Sequence, residues 1–167
     1  QTYMRGLMEM QTDRKFYPDA NSTLRIAYGK VSSYYPYDAI KYIFFTTTDG
    51  IIEKSMQEAP DYQLSENFVS FLKKRDFGDY AHSDGTMRVA FIASNHTTGG
   101  NSGSPVLNAE GQMIGINFDR VWEGTMSDLL FHESLCRNIS VDMRYVLYIT
   151  DKFAGASHLL QEMKIVK

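Results

Sequence analysis

The chain has 167 residues, of which 43% are hydrophobic and 13% aromatic, with a net charge of −3; this suits one packed domain and excludes a disordered tail. Its lysines and arginines are scattered among acidic residues, which excludes a basic stripe for nucleic acid, and its single cysteine, Cys136, excludes an internal disulfide or a multi-cysteine metal site. No run approaches the roughly 20 apolar residues that span a bilayer.

The opening residues 1–10 read as the tail of a helix already under way. The chain is therefore expected to be a piece of a longer protein, with any export signal upstream. Residues 16–22 form a turn-rich connector. Strand pattern follows: Leu24, Ile26 and Tyr28 alternate with Arg25, Ala27 and Gly29, and Ile40, Tyr42 and Phe44 alternate with Lys41, Ile43 and Phe45. Pro36 and the tyrosines around it mark the turn between these strands. From Asp49 the period changes to that of a helix carrying Ile51, Ile52, Ser55 and Met56. A second helix over 65–74 has a serine cap, an apolar stripe and closing lysines. These two helices are expected as an insertion on a β scaffold.

Further strands are expected at 87–92, 113–118 and 139–143, with a hairpin turn at 108–111. Residues 144–153 read as helical until Gly155 interrupts, and 158–163 as a last helix docked on the core. Cys136 reads as a small core residue.

Between the strands lies Thr98-Gly99-Gly100-Asn101-Ser102-Gly103-Ser104-Pro105-Val106. Glycines permit backbone angles closed to other residues, so successive N–H groups can converge beside the Ser102 hydroxyl and cradle an oxyanion. An ordinary glycine-rich turn fits the same stretch.

The order of strand, Gly-Asn-Ser-Gly-Ser-Pro-Val, hairpin, strand and terminal helix resembles the C-terminal β-barrel of chymotrypsin-like serine peptidases. That resemblance implies Ser102 as nucleophile and the backbone N–H groups of Gly100 and Ser102 as oxyanion hole. Asn101 stands where the zymogen-type members carry an aspartate, which argues against their mode of activation. The stretches at 16–25, 115–124, 138–147 and 151–155 narrow the resemblance to the bacterial dipeptidyl peptidase 7 and 11 family, over nearly the whole chain. It implies a mainly β fold with helices: the six-stranded second barrel of a double-barrel peptidase, with a short helical insertion and a C-terminal helix. Residues 1–17 would end an inserted helical domain and 18–167 would be the barrel. The implied activity is removal of dipeptides from peptide N-termini, in the periplasm or at the surface of a Gram-negative bacterium.

Within that resemblance Asp119 would bind the substrate's α-ammonium, and Arg120 would pair with an aspartate or glutamate second from the N-terminus. The family form that prefers acidic residues carries arginine at this place, and the form that accepts apolar ones carries glycine. Phe118 and Trp122 are weaker candidates for lining the cleft. From the residues alone, Asp119 and Arg120 read first as an exposed ion pair at a strand end. Of His82, His96, His132 and His158, none sits in the setting of a triad base, and His96 reads as a solvent-exposed turn residue. The base and its orienting carboxylate are expected on the first barrel, outside this chain. No metal or organic cofactor is implied; the expected partners are peptides with an acidic second residue, the remainder of the parent chain and, for the parent, a second copy in a homodimer. A broader apolar preference and a non-catalytic peptide-binding barrel stand as the other readings.

Overall fold

A computed structural model describes residues 1–14, 16, 22–57 and 59–166 of the chain. After helix α1 (Thr2–Met10), a small hairpin pairs β1 (Tyr34–Tyr37) with β2 (Ile40–Tyr42). Five further strands form one antiparallel sheet: β3 (Phe45–Thr47), β4 (Arg88–Ala93), β5 (Pro105–Leu107), β6 (Met113–Arg120) and β7 (Asn138–Asp142). Their order is β3-β4-β7-β6-β5, so the longest strand, β6, lies between the central β7 and the edge β5. The remaining helices are α2 (Thr48–Ser55), α3 (Glu66–Lys73), α4 (Met143–Tyr148) and α5 (Ser157–Leu160).

Local chemistry explains these boundaries. The Ser65 side chain accepts a hydrogen bond from the Phe68 amide at 3.3 Å, while Glu66 and Lys73 sit at the helix ends that favour their charges. Asp142 ends β7 and caps α4 by accepting from the Arg144 amide at 2.9 Å. In the centre of β6, Gly115 leaves room for the ring of Phe91: a Cβ there would lie 2.7 Å from it and 2.6 Å from the Val141 carbonyl oxygen.

The apolar core lies where the helices meet the sheet. Leu72, Phe77, Met87 and Tyr148 are fully or almost fully buried, with Ile51, Ile52, Phe68, Phe71 and Tyr145 packed around them. Tyr148 stacks on Phe71 at 5.0 Å and meets Phe77 edge-on at 5.6 Å. The helices at 48–73 lie in the chain between the paired strands β3 and β4, an insertion on the β scaffold that supplies part of this core. Cys136 is buried, as expected.

Four expectations are corrected. Leu24, Ile26 and Tyr28 keep their alternation but form no strand and stand about as exposed as side chains can. Residues 27–32 run beside 92–95 instead, held by Asn95 Nδ2 to the Ala27 carbonyl, by Ser94 and by a single bridge from Val31 to Ala93, too few bonds for a ladder. Pro36 lies inside β1; the turn falls at Asp38 and Ala39, where Ala39 takes φ 61°. A proline is tolerated there because β1 has one hydrogen-bonded neighbour. The run 40–45 divides between the hairpin and the sheet, and the last helix is a single turn with no buried residue. Most of the 16–22 connector lies outside the described residues. Among the described residues, no helix is long and apolar enough to cross a membrane.

Candidate active site

Ser102 sits on the connection into β5, exposed at the edge of the sheet. Gly100 and Gly103 take φ 95° and 82°, the left-handed region that a side chain would strain. The loop is tied at several points. Asn101 Oδ1 accepts from the Thr98 amide at 2.9 Å, the Ser104 amide donates to the Asn101 carbonyl at 3.0 Å, and the Gly103 amide donates to the Asn117 carbonyl at 2.7 Å. Among the described residues the amides of Gly100 and Ser102 donate to no protein acceptor. The Ser102 hydroxyl donates to the Phe118 carbonyl at 3.4 Å.

A buried amide ladder beneath the loop was not legible as function from the sequence. Asn117 Nδ2 donates to the Asn101 carbonyl at 3.1 Å, and Asn138 Nδ2 donates to Asn117 Oδ1 at 2.8 Å and Ser140 Oγ at 3.3 Å. Asn117, Asn138 and Ser140 are all buried, so these bonds replace water and carry the rigidity of β6 and β7 to the serine loop. The available signal was an asparagine flanked by isoleucine and phenylalanine in mid-strand.

β6 then breaks step. Asn117 faces Ser140, Asp119 faces Ile139 and Arg120 faces Asn138, so Phe118 is the extra residue of a β-bulge. Phe118 is half-exposed beside Ser102. Asp119 is also exposed, and its Oδ1 accepts from the Arg120 amide at 2.8 Å. Arg120 turns towards the segment Trp122–Asp128. Its Nη1 reaches Ser127 Oγ at 2.6 Å and Asp128 Oδ1 at 2.8 Å, and its Nη2 reaches Asp128 Oδ2 at 2.9 Å. The sequence offered an ion pair between Asp119 and Arg120; the paired acid is Asp128. Those hydrogen bonds raise the arginine above its ordinary value and hold the Asp128 carboxyl below the usual carboxylate range, against a partial opposing effect of burial on both.

The Trp122–Asp128 segment has further anchors. Tyr34 donates its hydroxyl to Glu123 at 2.7 Å, and burial followed by that bond pushes the phenol well above its normal range. His96 Nε2 lies 3.1 Å from the Ser127 carbonyl and its ring 4.5 Å from that of Phe131, so His96 is half-buried rather than the solvent-exposed residue expected. Trp122 is almost fully exposed. His82 pairs with Asp142 at 3.1 Å and His132 with Ser134 at 2.9 Å; among the described residues no histidine hydrogen-bonds Ser102. Nor do they gather a group of metal ligands.

Comparison with known proteins gives one consistent match. The Peptidase S46 family profile matches residues 1–165. An Asp/Glu-specific dipeptidyl-peptidase of Flavobacterium psychrophilum is 52% identical over 164 residues, covering 98% of this chain and 23% of its own length. A dipeptidyl-peptidase 7 of Phocaeicola vulgatus is 45% identical over 166 residues, covering 99% and 23%. The crystal structure of Porphyromonas endodontalis DPP11 in complex with the dipeptide Arg-Asp matches with TM-score 0.87 and 41% identity, over 98% of this chain and 24% of that one. The chain therefore spans about a quarter of the length of these relatives.

Proposed function

The chain belongs to the peptidase S46 family, and on that premise we propose that it is the C-terminal catalytic part of a serine exopeptidase releasing N-terminal dipeptides with aspartate or glutamate second. The observation that carries this reading is Ser102 on a turn with two left-handed glycines, its neighbouring amides unengaged, next to a strand that ends in Asp119 and Arg120. A relative named for Asp/Glu specificity, alike over 98% of the chain, supports the same substrate class.

In this reading a histidine from the rest of the protein takes the Ser102 proton as Oγ attacks the scissile carbonyl. The Gly100 and Ser102 amides receive the developing oxyanion, where one such donor is worth about 10²- to 10³-fold in rate. The histidine then protonates the leaving amine, and water hydrolyses the acyl-enzyme. Asp119 faces the substrate ammonium, Arg120 reads the acidic side chain, and Phe118 lines the cleft. The chymotrypsin-like double barrel, with its six-stranded second barrel at 18–167 and the end of a helical domain at 1–17, belongs to the same proposal. So does export to the periplasm or cell surface of a Gram-negative bacterium.

The test assays the full-length protein on dipeptidyl reporters with aspartate, glutamate or leucine beside the leaving group. Ser102→Ala is expected to lower kcat by about 10⁶-fold, the scale of losing a serine nucleophile. Arg120→Gly is expected to cost the acidic reporters about tenfold or more relative to leucine, the scale of a charge-assisted contact. An acidic preference intact in Arg120→Gly would overturn the specificity assignment. One observation favours a second reading, a broader apolar preference: the arginine fork is already occupied by Asp128.

A further inference from the structure

The group that Arg120 holds is itself an aspartate carboxylate, bound through two parallel N–H···O contacts of 2.8 and 2.9 Å. This is the planar fork-to-fork geometry in which arginine recognises a carboxylate most selectively. Resting on the reading above, we propose that Asp128 is an internal competitor for the acidic side chain of the substrate. The substrate carboxylate displaces it from Arg120, and Asp128 swings out to solvent.

The surroundings of Asp128 make that exchange cheap. Its side chain is 51% exposed against 26% for Arg120, and Leu129 and Leu130 after it are largely exposed, so releasing it uncovers little apolar surface. Ser127, one residue earlier, stays buried. Its hydroxyl accepts from Arg120 Nη1, and its carbonyl contacts His96, so the guanidinium keeps one partner and its aim while the acid leaves. Tyr34 on Glu123 secures the other end of the segment. The anchored residues thus flank a movable one.

The exchange also bears on selectivity. A substrate with an apolar second side chain offers Arg120 nothing to replace Asp128, and the pair remains closed. An acidic side chain replaces like with like. Asp128 thereby lowers affinity for the acidic substrate while sparing the free enzyme an uncompensated arginine.

The experiment uses the full-length protein and compares the parent sequence with Asp128→Asn, Asp128→Glu and Arg120→Gly on aspartate and leucine reporters. Asp128→Asn is expected to lower KM for the aspartate reporter about fivefold, the scale of a half-exposed ion pair, with KM for leucine unmoved. Asp128→Glu, which keeps the charge, is expected to stay near the parent. An unchanged or raised aspartate KM in Asp128→Asn would make Asp128 a positioning residue for Arg120 and overturn the proposal. Equal falls for both reporters would overturn it in favour of a simple lid. Arg120→Gly separates the two levels: acidic preference surviving that change sinks the parent reading, whereas its loss without a KM fall in Asp128→Asn sinks only the competitor.

Discussion

The helix-backed end of the sheet and the serine end are built from opposite materials. At the first, Leu72, Phe77, Met87 and Tyr148 close on one another, with aromatic rings stacked between α3 and α4. At the second, Ser102, Phe118, Asp119 and Trp122 stand exposed, and shape is kept by hydrogen bonds through Asn101, Asn117 and Asn138. Apolar burial is non-directional and supplies most of the folding energy, whereas hydrogen bonds contribute little net energy but fix angles. The molecule puts burial where its helices pack and orientation at the exposed serine end.

That division can be broken from either side. Leu72→Ala is expected to cost about 2–5 kcal/mol of stability, the range for emptying a buried leucine site. Denaturant melts measure the loss, and the reporter preference of the molecules still folded should be unchanged; a shifted preference would show that the two ends are coupled. Asn117→Ala is expected to cost about 1–3 kcal/mol, because it takes the shorter of two acceptors from the buried Asn138 amide and leaves it only Ser140 Oγ. It should also lower kcat about 10²-fold by loosening the serine turn. Loss of stability with kcat intact would remove the ladder from the active site.

Acid sharpens the comparison with a smaller effect. Hydrogen bonds from Thr86, Arg120 and Ser157 respectively hold Asp84, Asp128 and Asp151 below their ordinary 3.8. A depressed folded value means the stabilisation is full above that ordinary value and fades as pH falls through the folded one. Urea melts should therefore weaken below about pH 4, and Asp128→Asn should flatten only part of the slope. At the alkaline side, burial and then Asp151 push Tyr80 up to about 12, so its contribution is present below the usual phenol range and fades as pH rises towards 12.

Elements that end on their own chemistry were legible in the sequence. Ser65 announces α3, the glycines announce the Ser102 turn, and β4, β6 and β7 lie within a residue or two of their apolar alternation. What escaped depends on partners distant along the chain. Alternation at Leu24, Ile26 and Tyr28 says which face is apolar but not whether an edge is available to pair with it. The split of 40–45 is decided by which neighbour each half meets. Arg120 and Asp128 are eight residues apart across a turn, and no periodicity announces their meeting.

The bulge at Phe118 makes the charge of the strand end a matter of parity. Were Phe118 paired instead of bulged, the straight register would set Asp119, not Arg120, opposite Asn138, and the position that now carries a cation would carry an anion. Two adjacent residues of opposite sign thus compete for one place opposite Asn138. Which of them takes it depends on whether the backbone counts odd or even.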